Sequence, residues 1–202
     1  MGRFSPVRLM ACLLWLLVVA GGIAVTLNYE NAAGRTGNTP RQWPAGASIA
    51  LDSDRDTLLL FVHPQCPCTR ATVEELNRLL VANHDRVQVH VFCYHPANTP
   101  DQWTQTELWR SVAAIPGVAL HEDPAGRVSQ QFGAETSGYV VLYNPRGQLL
   151  FKGGITAGRG HIGDNVGEST VASLLSGESV AVKQTPVYGC SMLACPQPGV
   201  IQ

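Results

Sequence analysis

The sequence predicts an α/β fold, a central mixed sheet flanked by helices, behind an N-terminal transmembrane helix. Three observations carry that reading. Leu9 to Leu27 (LMACLLWLLVVAGGIAVTL) runs 19 residues without a charge, and about 20 apolar residues are enough to cross a bilayer. Thr57-Leu-Leu-Leu-Phe-Val62 is an unbroken apolar run, the pattern of a strand covered on both faces. A helix-period segment and an alternating strand follow it directly. Together they make a βαβ unit with two parallel, neighbouring strands joined right-handed.

From the N-terminus, Arg3 and Arg8 precede the apolar stretch and Glu30 is the first charge after it. The positive-inside rule puts residues 1–8 in the cytoplasm, 9–27 in the membrane and the rest outside. A cleaved signal peptide is the alternative, because Ala20-Gly21-Gly22 offers small residues to a peptidase. The apolar run continues past them to Leu27, which favours an uncleaved anchor. Leu9-Met10-Ala11-Cys12 resembles a lipoprotein cleavage box, but it opens the apolar stretch instead of closing it, so Cys12 reads as an inert membrane residue.

Residues 28–48, rich in Gly, Asn, Thr and Pro, read as a linker. A globular domain spans 49–180. In it, Thr69 to Asn83 places Val73, Leu76, Leu79 and Leu80 on one helical face. Val87 to Phe92 alternates as a strand. A helix is expected over Pro100 to Val112, a short strand over Val118 to Leu120, and a helix over Ala125 to Phe132. Tyr139–Tyr143 and Gln148–Phe151 flank Asn144-Pro-Arg-Gly147, a hairpin signal. A last helix covers Asn165 to Leu175, with Asp164 or Asn165 as its cap. A cysteine-containing tail, 181–202, closes the chain.

A formal net charge of −1 supplies no field that would draw nucleic acid. The six cysteines, Cys12, Cys66, Cys68, Cys93, Cys190 and Cys195, form two close pairs and two singletons. His63-Pro-Gln-Cys66-Pro-Cys68-Thr-Arg70 sets the first pair where the first strand hands over to a helix. There the helix dipole and free backbone N–H groups lower a thiol's pKa and make it reactive. Such a pair cycles between dithiol and disulfide or holds a soft metal. An exported domain stands where disulfides persist, so compartment and motif agree.

A βαβ unit, then a helix, a hairpin and a final helix, with cysteines at the end of the first strand, is the thioredoxin order. Residues 51 to 180 resemble the thioredoxin-like superfamily, in particular its membrane-tethered extracytoplasmic branch. HPQCPCTRA, TSGYVVLYNPRGQLLFKGGIT with GHIGDN, and PVYGC are similar to RedB-like proteins. The resemblance implies Cys66 as nucleophile and Cys68 as resolving thiol. It also departs from that pattern twice. C-P-C replaces C-x-x-C, a tight and strained ring that would make an oxidising disulfide. Thr136-Ser137-Gly138 replaces the usual cis-proline, which leaves Ser137 and Gly138 as the expected substrate groove.

Around this core, His63 is expected to stabilise the thiolate as imidazolium, to shuttle a proton, or simply to pack at the strand end. Arg70 is a further electrostatic candidate. Cys190 and Cys195 admit three readings: a structural disulfide, a second redox pair exchanging with the first, or metal ligands. Cys93 reads as buried and inert. His95 and His161 are candidate site residues, the latter in the glycine-rich loop 158–165. Trp103 and Trp109 read as helix packing. The expected activity is therefore a thiol–disulfide oxidoreductase without a cofactor. Its partners would be exported protein dithiols or disulfides, or a membrane electron donor. The alternative is a copper-binding assembly factor using Cys66, Cys68, His161 and His95.

Overall fold

A computed structural model describes residues 5–192. The chain divides into two units, residues 1–32 and 33–202. The first is helix α1, Pro6–Glu30, long and apolar enough to cross a bilayer, with its apolar side chains uncovered. At about 1.5 Å per residue its length exceeds the hydrocarbon thickness of about 30 Å.

In the second unit the elements follow as β1 (Asp56–Val62), α2 (Thr69–Asn83), β2 (Val87–His95), α3 (Glu107–Ala113), β3 (Val118–Pro124), α4 (Arg127–Gln131), β4 (Tyr139–Tyr143), β5 (Leu149–Gly153) and α5 (Val166–Leu175). They build one five-stranded sheet in the order β3-β2-β1-β4-β5. β1, β2 and β3 are parallel, whereas β4 and β5 run antiparallel. The predicted mixed sheet flanked by helices is the fold observed.

Strand periodicity splits the core into two layers. Leu58, Leu60 and Val62 pack with Leu76, Leu79 and Val171 beneath α2 and α5. Leu59 and Phe61 face the other way, onto Phe92, Phe132, Tyr139, Val141 and Tyr143. With both faces filled, β1 has no polar side, which explains its unbroken apolar run.

Three segments differ from expectation. The helix expected over 100–112 is a 3-10 turn at Asp101–Trp103 followed by α3. Thr106 breaks it, accepting the Trp109 N–H as an N-cap and donating to the Pro64 carbonyl at 3.0 Å. The strand at 118 runs on to Pro124, paired with β2 on one side only, where a proline is tolerated. The stretch expected as a linker lies along the domain from Gly34 onward. Trp43 meets Phe132 and Tyr143 edge-on, each at 5.2 Å, and the buried Thr39 hydroxyl bonds the Tyr139 phenol at 2.6 Å. The cap of α5 is Asn165, accepting from the Glu168 N–H at 2.8 Å.

The tail is described up to Met192. Its backbone first runs beside β5, with Thr185 N–H bonding the Lys152 carbonyl at 3.2 Å and Gly154 N–H bonding the Pro186 carbonyl at 3.1 Å. It then crosses the sheet end and pairs antiparallel with the loop before β4, Thr136 opposite Ser191.

Candidate thiol site

At the end of β1 the chain turns through Pro64–Pro67 and enters α2, with Cys66 N–H bonding the His63 carbonyl at 3.0 Å. The turn sets Cys66 just ahead of the α2 N-terminus, where unpaired N–H groups and the dipole favour an anion. Cys66 is only 2% exposed. Its sulfur accepts the Cys190 backbone N–H at 3.3 Å. The Thr69 backbone N–H bonds the Cys66 carbonyl at 3.3 Å, and Cys190 and Thr69 both favour the ionised form of the Cys66 thiol.

The Cys190 thiol is the strongest of these influences, and together they outweigh burial and hold Cys66 down to about 4. Cys190 moves the opposite way, upward, because its proton is held between the two sulfurs and its own burial adds to that. The two shifts are opposed, favouring charge on Cys66 and the proton on Cys190. Cys68 is half-buried. Burial first, then the Cys66 charge, push its thiol up, opposed by the Arg159 guanidinium. Arg159 also donates to the Gly189 carbonyl at 2.5 Å, so one side chain touches both the C-P-C loop and the tail.

Ser137 and Gly138 are placed opposite these thiols. The buried Ser137 hydroxyl meets Thr69 Oγ1 at 2.6 Å and accepts the His63 backbone N–H at 2.7 Å. Gly138 adopts φ +90°, a region open to glycine, and its N–H bonds the Phe61 carbonyl at 2.8 Å. The peptide bonds of the described residues are all trans. The Ser137 N–H, which faces out of this loop, bonds the Cys190 carbonyl at 2.9 Å. The expected groove therefore holds the chain's own tail.

His63 is buried, stacked on Tyr94 with Trp103 edge-on at 5.3 Å. Its Nδ1 accepts the Gln65 N–H at 3.2 Å, which leaves the ring proton on Nε2. Burial lowers its pKa, with the Cys66 charge opposing. Arg70 pairs with Glu107 at 3.0 Å on the surface. His95 bonds the Glu122 carboxylate at 3.3 Å and the Thr99 carbonyl at 3.2 Å, and His161 turns back to the Arg159 carbonyl. Among the described residues, no three His, Cys, Asp or Glu side chains gather at metal-holding spacing. Cys93 is buried in the sheet, pushed up to about 12 chiefly by burial. Cys195 lies outside the described residues.

Parallel β1 to β3, antiparallel β4 and β5, and thiols where β1 meets α2 decide the architecture. The fold is thioredoxin-like. The thioredoxin-like chain is similar to a hypothetical protein SMc02350 from Sinorhizobium meliloti 1021, with 18% identity and a TM-score of 0.62 over 79% of this chain and 98% of that one. It is also similar to an uncharacterized conserved protein from Geobacillus kaustophilus, with 20% identity and a TM-score of 0.59 over 83% and 94%. A secreted disulfide oxidoreductase of Mycobacterium tuberculosis is a looser likeness, with 13% identity and a TM-score of 0.43 over 62% and 83%. No family model and no curated protein matches the chain.

Sequence reasoning missed Thr69, Arg159 and the contact between Cys66 and Cys190. Thr69 was legible in principle, as the first helical residue after a reactive thiol. Arg159 was not, because it comes from a loop far along the chain, and exchange of Cys190 with the first pair was one of three readings that cysteine spacing could not rank.

Proposed function

We propose that the chain is a membrane-anchored, extracytoplasmic thiol–disulfide oxidoreductase of the RedB-like kind. In this reading α1 anchors it in the cytoplasmic membrane as a single pass, residues 1–8 stay inside, and the domain faces the periplasm or exterior. The observation that carries the reading is the buried Cys66 sulfur at the mouth of α2, accepting the Cys190 backbone N–H at 3.3 Å in surroundings that hold its pKa well down. A thiolate is the attacking species in disulfide exchange. Cys66 attacks one sulfur of a partner disulfide and forms a mixed disulfide, and the partner's other sulfur leaves as a thiolate. Cys68, two residues on, stands as a resolving thiol. Run backwards, the same steps oxidise a partner dithiol. The partners are exported proteins or a membrane electron donor, and the exchange needs no cofactor.

The test is a redox titration of the detergent-solubilised chain in glutathione buffers after chelation, read by mass spectrometry of trapped thiols. A reversible two-electron transition, lost in Cys66→Ser, is expected. A Cys66 that forms no disulfide at any ratio would sink the proposal.

A further inference from the structure

The tail brings a third thiol to the site, and it does so with a built backbone interface. Ser137 N–H bonds the Cys190 carbonyl at 2.9 Å, Met192 N–H bonds the Glu135 carbonyl at 2.9 Å, and Thr136 pairs with Ser191. Arg159 clamps Gly189 between them. Val187 and Met192, both buried, seat the two ends of the segment in the core layer around Phe61 and Tyr139. A strand held in this way delivers Cys190 onto the Cys66 sulfur.

We infer that the tail is a substrate strand built into the chain, and that Cys190 resolves the mixed disulfide on Cys66 to give a Cys66–Cys190 disulfide. The inference rests on the thiol–disulfide reading and changes only which thiol resolves first. Two observations favour Cys190 over Cys68. Cys190, held in the docked strand, donates its own backbone N–H to the Cys66 sulfur at 3.3 Å, so its residue is seated directly against that thiol. Closing Cys66 on Cys68 must form a ring across Pro67, whose φ is fixed.

The atoms balance as follows. Cys66 thiolate attacks a partner disulfide R–S–S–R′; the Cys66–S–R bond forms and R′S⁻ leaves. Cys190 then loses its proton to R′S⁻ and attacks Cys66, which expels RS⁻. Two protein sulfurs are oxidised to one disulfide, and the partner disulfide is reduced to two sulfurs carrying one proton between them.

The experiment is disulfide mapping of the full chain in detergent, equilibrated in glutathione buffers, alkylated, digested and analysed by mass spectrometry, beside Cys68→Ser and Cys190→Ser. A Cys66–Cys190 peptide that persists in Cys68→Ser is expected, with Cys68 alkylated in the unmutated chain. The transition of Cys190→Ser should be lost or displaced. A Cys66–Cys68 disulfide with Cys190 alkylated, or a Cys190–Cys195 disulfide, would overturn the inference and leave the oxidoreductase reading standing. A Cys66 that never forms a disulfide in any variant would overturn both. Circular dichroism of the three proteins separates loss of the couple from loss of the fold.

Discussion

At the scale of single residues, the site turns on two neighbouring thiols with opposed shifts, Cys66 downward and Cys190 upward. Cys190 contributes most to the depressed pKa of Cys66, with Thr69 second among its hydrogen-bond donors. Cys190→Ala removes the thiol donor, so the Cys66 ionisation should move up toward the ordinary thiol value of about 8.5. Thiolate absorbance in the ultraviolet, followed against pH, checks this, and an unmoved midpoint would refute the role given to Cys190. A depressed thiol pKa contributes stability that is full above the unfolded value, declines as pH falls below it and is gone below about 4. The raised Cys190 acts in the other sense, and its contribution fades as pH rises through the thiol range. Denaturant unfolding of the reduced chain should therefore show thiol-dependent stability that rises from about pH 4 to a maximum in the ordinary thiol range and falls above it. Cys190→Ala should flatten that dependence. The role of Cys66 was legible in the sequence because a strand–helix junction constrains any thiol placed there. Its partner was not, because 124 residues separate Cys66 from Cys190 and no local pattern records that contact.

At the scale of elements, the strongest sequence signals were the ones the structure kept. The predicted helix over Thr69–Asn83 is α2, residue for residue. Its buried face is continuous with β1, and Leu76 is fully buried there. Leu76→Ala should cost about 2–5 kcal/mol, measured by chemical denaturation. The helix expected over 100–112 was less legible, because Thr106 can cap as readily as it can propagate, and periodicity does not register that choice. The tail segment was read only as cysteine spacing. Its fit depends on Gly189, where an added Cβ would land on the Ser137 carbonyl. Gly189→Ala should lift the segment off the loop before β4 and speed alkylation of Cys66, which is now 2% exposed, by about tenfold or more, while far-ultraviolet dichroism is unchanged. An alkylation rate equal to that of the unmutated chain would mean the tail does not cover the thiol.

At the scale of the whole chain, the apolar N-terminal run and the α/β domain were both legible, because each rests on long, periodic signals. The stretch between them was not. Composition made residues 28–48 look like a free linker, yet Thr39 and Trp43 close the lower core layer. Low hydrophobicity averaged over a window conceals one tryptophan in the right place. A fragment beginning at residue 33 should therefore unfold at clearly higher denaturant than one beginning at 48. The difference should be about 2–4 kcal/mol, the scale of losing a packed tryptophan and a buried hydrogen bond. Equal midpoints would show that the segment adds nothing.

The tail in its groove also sets a threshold for other molecules. A strand carried on the same chain competes at an effective concentration that is millimolar or more for short tethers. Any partner that seeks the Ser137 edge must bind tighter than that to displace it. Polypeptides that bind this edge weakly are held off by arithmetic alone, without a gate that senses them.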